Sequence, residues 1–351
     1  MTPTQVKTLV ISLVVLLPYV PLNSDAATKA FAWGPSPASQ AASVPKSPRD
    51  HAADFVPGAE IAAAVNVPDK NLKLEGSLFT PDKTVGRAVR AVLVVIHWGY
   101  TEELLTGLNP YSAMHRLTRD LDGALLHVRI STIHAPRPGP TPPELVVQRN
   151  AATGSGDGLL RLLEVLAADS GRLELKSAPL LFWGWSAAGG FGPSFAKLHP
   201  DRTLGFVQYQ SHRRGLPSDW SVLANIPALI VVGGEQQKDQ NDDSTMFWNE
   251  GRSRGAPWAF VQQHGVGHGL KMDDLSALDQ VLVPWVQGVV RGRLAESSGP
   301  RLRPIAVESG WVAVQASRVI APVASYSGPR EGTSWFPSEE TARAWQALAG
   351  K

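Results

Sequence analysis

A serine stands at a glycine-edged junction between an apolar run and a stretch of small residues. The segment reads LLFWGWSAAGG over residues 180–190, and its serine is Ser186. An apolar strand that stops at such a turn and is followed at once by a helix exposes the serine hydroxyl, as a catalytic nucleophile requires. A hydroxyl is a poor nucleophile until a base removes its proton, so the chain must also supply a histidine and a carboxylate. Ser186 is therefore predicted to be the nucleophile, with an ordinary helix N-cap serine as the alternative.

His268 is the best placed of the nine histidines to act as the base. It lies between Gly267 and Gly269, just after the apolar run that ends at Val261, and the glycines let this loop curl over the end of a sheet. His264 is the rival, but it directly continues the predicted strand. The two histidines are not predicted to bind zinc, because ligands at this spacing need a helix and the glycines oppose one. No metal site is predicted.

The carboxylate is expected in the segment GGEQQKDQNDD, residues 233–243, which follows the apolar run at 228–232. This position gives the chain order serine, acid, histidine. Asp239 is preferred, because a few residues beyond the two glycines let the chain turn back toward the far ring nitrogen of the histidine. Glu235 is the second candidate, with a longer side chain at a closer position.

A calcium site competes for the same segment. Asp239, Asn241, Asp243 and Glu250 occupy positions 1, 3, 5 and 12 of an EF-hand-like pattern. The sharp turn of that motif needs a glycine where this chain has Ser244, and a strand rather than a helix precedes the segment. We therefore favour the role of triad acid, and Glu235 would take that role if calcium occupied Asp239.

Acyl transfer also needs two N–H donors for the oxyanion that forms on the substrate. The amide of Ala187, the residue after the nucleophile, is one expected donor. The other is expected from Trp98, Gly99 or Tyr100, which follow an apolar run in the segment HWGY. Trp98 and Trp185 flank these groups, and they predict an aromatic wall suited to aryl or acyl esters, with plain packing as the alternative.

Short apolar runs alternate with helical patterns along most of the chain, which is typical of a parallel sheet covered by helices. The runs are continuous rather than alternating, as expected for strands buried on both faces. A hairpin at 60–79 precedes six runs at 91–96, 124–128, 179–183, 204–207, 228–232 and 258–261, and helices are predicted at 111–121, 158–168, 187–198, 244–253 and 275–290. These elements predict an α/β fold with a mostly parallel sheet of about eight strands, an N-terminal antiparallel hairpin and helices on both faces.

The two ends of the chain differ from its middle. Lys7 precedes a short apolar run and small residues follow at 24–27, a pattern that predicts a secretory signal peptide over 1–27 rather than a membrane span. A Pro/Ala/Ser-rich arm is predicted over 28–58, the catalytic domain over 59–292, and an extension packed on the core over 293–351. We expect a secreted or periplasmic protein with no stable membrane insertion once the signal is removed.

The composition limits the classes of partner that the protein is expected to bind. The chain has 351 residues, no cysteine and a formal net charge of +2. Its core is thus expected to hold without disulfides, and its scattered Lys and Arg residues argue against a nucleic-acid partner. The sequence leaves the oligomeric state open.

Three motifs, in this order, resemble those of the α/β-hydrolase superfamily: the serine turn at 184–189, the acid loop at 233–239 and the Gly-His-Gly loop at 267–269. The similarity extends from about Leu72 to Val290, and the chain looks most like secreted esterases, including feruloyl-esterase-like and polyester-depolymerase-like proteins. Trp185 departs from the histidine or tyrosine that many of these proteins have. The resemblance implies a serine hydrolase that cleaves small-molecule or polymeric carboxylic esters through an acyl-enzyme on Ser186, without a cofactor.

Two other functions stay open at this point. The same fold supports serine peptidases, since fold alone does not fix the reaction. A catalytically inactive binding module is the alternative from another class, and the presence of both Ser186 and His268 in suitable patterns argues against it.

Overall fold

The structure, a computed structural model, describes residues 56–97, 112–133, 146–147, 149–211, 216–234, 238–269, 272–294 and 301–349. The predicted signal peptide and nearly all of the predicted arm lie outside these residues. None of the helices within the described ranges is long and apolar enough to cross a membrane.

The described residues form an eight-stranded sheet in the order β1-β2-β4-β3-β5-β6-β7-β8. The strands are β1 (Gly58–Val67), β2 (Leu72–Pro81), β3 (Val92–His97), β4 (Ala124–Thr132), β5 (Leu180–Trp185), β6 (Thr203–Tyr209), β7 (Ala228–Val232) and β8 (Trp258–Gln262). The first two strands form the predicted antiparallel hairpin, and β2 also runs antiparallel to β4. All neighbours from β4 to β8 are parallel. The predicted strand types and the predicted hairpin are confirmed.

Helices cover both faces of the sheet, because the parallel strands are apolar on both sides. They are α1 (Ser112–Asp120), α2 (Ser155–Ser170), α3 (Phe191–Leu198), α4 (Lys238–Ser253) and α5 (Met272–Arg293). Side chains of α2, α3 and α4 share one core cluster with one face of the sheet, and side chains of α1 and α5 share a second cluster with the other face. The predicted fold class is confirmed.

Residues after α5 form a small second sheet and a final helix. Strands β9 (Trp311–Val314), β10 (Ile320–Pro322) and β11 (Thr333–Phe336) pair antiparallel in the order β10-β9-β11, and α6 covers Glu339–Ala349. Trp345 and Phe336 belong to the same core cluster as α1 and α5. This segment therefore packs on the main sheet and shares its core.

Arg252, near the end of α4, ties the small sheet to the large one. Its side chain is 1% exposed. Nε donates to the carbonyl oxygen of Thr333 at 2.8 Å, Nη2 donates to the hydroxyl of Thr333 at 3.2 Å, and Nη1 donates to the carbonyl oxygen of Ala256. Burial lowers the pKa of Arg252 to about 10. The guanidinium thus satisfies acceptors on β11 and on the segment just before β8.

Replacing Arg252 with methionine should destabilise the fold. The change leaves three buried acceptors without their donor, and we expect the free energy of unfolding to fall by about 3 kcal/mol. Urea unfolding followed by circular dichroism measures this loss. The control is Arg343→Met, since the ion pair of Arg343 among the described residues is an exposed one with Glu339, one helical turn away. This replacement should cost less than about 0.5 kcal/mol. Equal losses in the two variants would contradict the role given to Arg252.

Candidate active site

Ser186 follows β5 directly and has a backbone conformation that few serines adopt. Its φ angle is +54°, in the left-handed region. Residues 186–190 form a tight 3-10 turn, and α3 begins at the next residue. A non-glycine residue in this region costs roughly 1–3 kcal/mol and persists where the surrounding structure imposes it. The turn lifts the hydroxyl to the carboxyl edge of the sheet, as the sequence predicts for a nucleophile.

The glycines around Ser186 are required by close backbone contacts. A side chain at Gly184 would collide with the carbonyl oxygen of Ala188, and one at Gly189 would collide with the side chain of Ser211. Gln208, buried on β6, donates its side-chain amide to the carbonyl oxygen of Gly189 at 3.0 Å. The sharp return of the chain after the serine therefore depends on small residues on both sides of it.

The structure brings His268 to Ser186. The two residues are 82 positions apart in the chain, and His268 Nε2 lies 3.0 Å from Ser186 Oγ. The indole of Trp185 stacks on the imidazole, with ring centroids 5.4 Å apart and an angle of 28° between the planes. Trp185 therefore contacts the predicted base directly, a role that the sequence pattern did not indicate.

The environment of His268 favours the neutral imidazole. His268 keeps an exposed surface, but the surrounding protein partly desolvates the ring and lowers the pKa of His268 below its usual value. In the tautomer that carries its proton on Nδ1, the free electron pair of Nε2 points at the Ser186 hydroxyl. The pair is thus arranged for transfer of the serine proton to the histidine. His264, the rival candidate, lies exposed in the turn four residues earlier.

Gln210, at the end of β6, holds the loop that carries His268. Its side-chain Nε2 donates to the carbonyl oxygen of Gly267 at 2.9 Å, and its Oε1 accepts from the amide of Gly269 at 2.9 Å. Gln210 is 2% exposed and has a φ angle of +46°. Gln210 is not among the residues predicted from the sequence. The alternating pair Gln208 and Gln210 follows the apolar run at 204–207, and polar side chains at the carboxyl edge of a parallel sheet lie near its binding crevice. This pair was therefore a usable signal.

The loop after β7 lies against the same histidine loop. The amide of Gly234 donates to the carbonyl oxygen of Val266. Asn241, on the first turns of α4, donates its side-chain amide to the carbonyl oxygens of Gly233 and Gly234 at 2.8 and 2.9 Å. Glu235 is the next residue along the chain and lies outside the described residues. The loop predicted to carry the acid is therefore adjacent to the loop of His268.

Asp239 lies in a helix rather than in the predicted loop. The helix expected from Ser244 begins at Lys238, supported by an ion pair of 2.8 Å between Lys238 and Asp242 one turn later. Asp239 is exposed on the first turn. No carboxylate of the residues that the structure describes is hydrogen-bonded to the ring of His268.

The same helix argues against the calcium alternative. Asp239, Asn241, Asp243 and Glu250 all lie within the continuous helix α4. An EF-hand site requires a twelve-residue loop whose oxygens converge on one ion. On a helix, Asn241 faces away from Asp239 and Asp243. Glu250 lies about three turns further along the axis, roughly 16 Å from Asp239, so these oxygens do not converge on one ion.

Of the two predicted oxyanion donors, the structure describes the amide of Ala187. Ala187 is buried in the first turn after Ser186, where backbone amides have no partner within the helix. Trp98, Gly99 and Tyr100 lie outside the described residues, and so does the Trp98 half of the predicted aromatic wall. The strand that precedes them, β3, pairs with β5 and places Ile96 opposite Gly184.

Loss of the two hydrogen bonds from Gln210 to the histidine loop should slow the reaction of Ser186. Gln210→Met keeps the size of the side chain but removes both hydrogen bonds to the histidine loop. A misplaced base then reduces proton transfer, and we expect the rate of labelling of Ser186 by a fluorophosphonate to fall roughly 10²-fold.

The matched control is Gln346→Met, because Gln346 lies on α6 and donates a side-chain hydrogen bond to the carbonyl oxygen of Arg318. Labelling rates and melting temperatures are measured together. A labelling rate that stays at the wild-type value in Gln210→Met would refute the role of Gln210 in positioning His268. An equal fall in Gln346→Met would show a general loss of stability instead.

Several solved structures are similar to this chain. A ferulic acid esterase is 14% identical, over 67% of this chain and 100% of that protein, with a TM-score of 0.48. An S-formylglutathione hydrolase from Staphylococcus aureus is 14% identical, over 67% of this chain and 97% of that one, with a TM-score of 0.44. An esterase from Rhizomucor miehei is 15% identical, over 71% and 87% of the two chains, with a TM-score of 0.45. Neither a protein-family model nor a curated protein sequence matches the chain.

The fold is defined by its own topology. The described sheet is parallel from β4 to β8, carries an antiparallel hairpin at one edge, and has a strained serine at the sharp turn between β5 and the following helix. A serine at the turn between a strand and a helix, at the carboxyl edge of such a sheet, is typical of the α/β-hydrolase fold. The chain therefore has an α/β-hydrolase fold.

Proposed function

We propose that the protein is a serine hydrolase that cleaves carboxylic esters through an acyl-enzyme. The observation that carries this proposal is the 3.0 Å distance between Ser186 Oγ and His268 Nε2 at a strained turn. A hydroxyl held against a neutral imidazole is the minimal unit for nucleophilic acyl transfer. An inactive binding module has no need to hold this geometry.

The proposed reaction has two halves. Ser186 Oγ attacks the ester carbonyl while His268 Nε2 takes its proton, and the resulting oxyanion accepts hydrogen bonds from backbone amides, with Ala187 as one donor. The imidazolium then returns the proton to the leaving alcohol, and the carbon–oxygen bond to that alcohol breaks. In the second half, His268 takes a proton from water, the resulting hydroxide attacks the acyl-enzyme, and Ser186 leaves with its proton restored. No cofactor enters either half.

The acid of the triad is proposed to come from the loop after β7, as Asp239 or Glu235. The bond between Gly234 and Val266 supports this position, because it holds the start of that loop against the loop of His268. A carboxylate at the far nitrogen would fix the tautomer of the imidazole and stabilise its charged form. Glu235 directly follows the bonded glycine, whereas Asp239 points from an exposed helical turn.

The substrate is proposed to be a small-molecule or polymeric ester. Trp185 lies beside both reacting side chains and stacks on His268, so its indole is placed to contact the acyl or aryl group of a bound ester. We further propose, from the pattern of residues 1–27, that the protein acts in a secreted or periplasmic location.

Ester hydrolysis should depend on both Ser186 and His268. With p-nitrophenyl acetate and butyrate, Ser186→Ala and His268→Ala are each expected to lower kcat/KM on the order of 10⁴-fold or more, because each removes one half of the proton-transfer unit. The matched controls are Ser253→Ala and His264→Ala, both exposed and outside the site, which should keep wild-type rates.

The competing functions predict other results in the same assay. A peptidase would cleave a peptide p-nitroanilide faster than the matched ester, and a binding module would cleave neither substrate. Retention of wild-type ester hydrolysis in Ser186→Ala would refute the proposed nucleophile.

The pH profile should identify the acid. Only the neutral imidazole accepts a proton, and partial desolvation lowers the pKa of His268. The acid limb of kcat/KM in the wild type should therefore lie below the value of about 6.5 for a free histidine. Removing the triad carboxylate, by Asp239→Asn or Glu235→Gln, should move this limb to still lower pH, since a negative charge that favours the imidazolium is lost. The same variant should lose kcat on the order of 10⁴-fold.

Asp242→Asn is the control, because Asp242 lies on the same helix and pairs with Lys238 at the surface. One of the two acid variants should show both effects while the other stays near the wild type. If neither variant changed kcat or the acid limb of the pH profile, the assignment of the acid to this loop would be wrong.

A further inference from the structure

A cavity of about 880 Å³ opens at the edge of the sheet opposite Ser186 and His268. Its walls come from segments that precede parallel strands: Arg202 lies just before β6 and Ile226 just before β7. The end of α5 and residues from the stretch 301–307 complete it. Because β6 has seven residues and a strand rises about 3.3 Å per residue, the cavity lies roughly 20 Å from the serine.

Arg293, at the end of α5, gives this cavity a buried positive charge. Its side chain is 5% exposed. Nη1 donates to the carbonyl oxygen of Asn225 at 3.2 Å, whereas Nε is fully buried and has no hydrogen-bond partner. Within the described part of the chain, Arg293 forms no ion pair. A buried cation without a counter-charge is costly, and burial lowers the pKa of Arg293 to about 10.

Three more arginines line the cavity. Arg202 donates to the carbonyl oxygen of Ala178, and neither it nor Arg301 forms an ion pair with another described residue. Arg254 is paired with Glu250. Asp201 is the single carboxylate among the described lining residues, so the described walls of the cavity carry an excess of positive charge.

We propose that this cavity binds an organic anion, with a carboxylate or phosphate group on an apolar body. The head group would accept hydrogen bonds from the arginines, since guanidinium groups match the geometry of both oxyanions. The apolar body would contact Val222, Ile226 and Ile305, which line the same space. Ligand sites commonly have volumes of about 300–1,000 Å³. This site is separate from the serine and does not depend on its chemistry.

Titration calorimetry of the full chain with four probes tests the proposal. Octanoate and octyl phosphate compare the two head groups, 1-octanol removes the charge, and inorganic phosphate removes the apolar body. We expect at least one of the two anionic amphiphiles to bind at least tenfold more tightly than 1-octanol and inorganic phosphate. Its affinity should fall at least tenfold in Arg293→Met, and it should raise the melting temperature of the wild type but not of that variant.

A second variant keeps the test decisive if Arg293→Met does not fold. Ser221 is exposed and lines the cavity, so Ser221→Glu should repel the anion and lower its affinity, whereas Ser221→Gln should not. Arg343→Met, far from the cavity, controls for total charge. The proposal is overturned if neither amphiphile binds, if 1-octanol binds as tightly as the anions, or if the affinity survives in whichever of Arg293→Met and Ser221→Glu is folded.

Discussion

The 3.0 Å contact between the Ser186 hydroxyl and the His268 ring joins two loops that start from non-adjacent strands of the sheet. Ser186 follows β5 and the histidine loop follows β8, so both begin at the carboxyl edge of one parallel sheet. Two strands, β6 and β7, lie between them. With strands about 4.8 Å apart, the two strand ends are roughly 14 Å from each other. The histidine loop must therefore reach back across the ends of both intervening strands.

Each intervening strand end supports that loop where it crosses. At the end of β6, Gln210 bonds to both glycines beside His268. At the end of β7, Gly234 bonds to Val266, and Asn241 bonds in turn to the glycine carbonyls. Ser186 and Gln210 both have left-handed backbones, at a cost of roughly 1–3 kcal/mol each. The buried sheet beneath them offsets this strain and holds both groups in place.

The sequence predicted what depends on local pattern and missed what depends on long-range contacts. Apolar runs and glycines located every strand of the large sheet, the serine turn and the histidine loop, because burial and tight turns leave direct marks in composition. The sequence predicts a loop where α4 begins, because residues 238–243 are polar and have no apolar stripe. The sequence pattern does not indicate the role of Gln210, because that role depends on a contact with Gly267, which lies 57 residues away in the chain.

The C-terminal segment contributes to the site through β8, although it lies far from the serine in sequence. A strand at the edge of a sheet leaves backbone groups without partners, which invites pairing with other chains. At Phe260, in the middle of β8, the amide donates to the Ser334 hydroxyl, and the carbonyl accepts from Trp345 and Gln315. These side chains occupy the open edge without adding a regular strand to the large sheet. Because β8 leads directly into the loop of His268, the same contacts that protect the edge also fix the strand from which the proposed base is positioned.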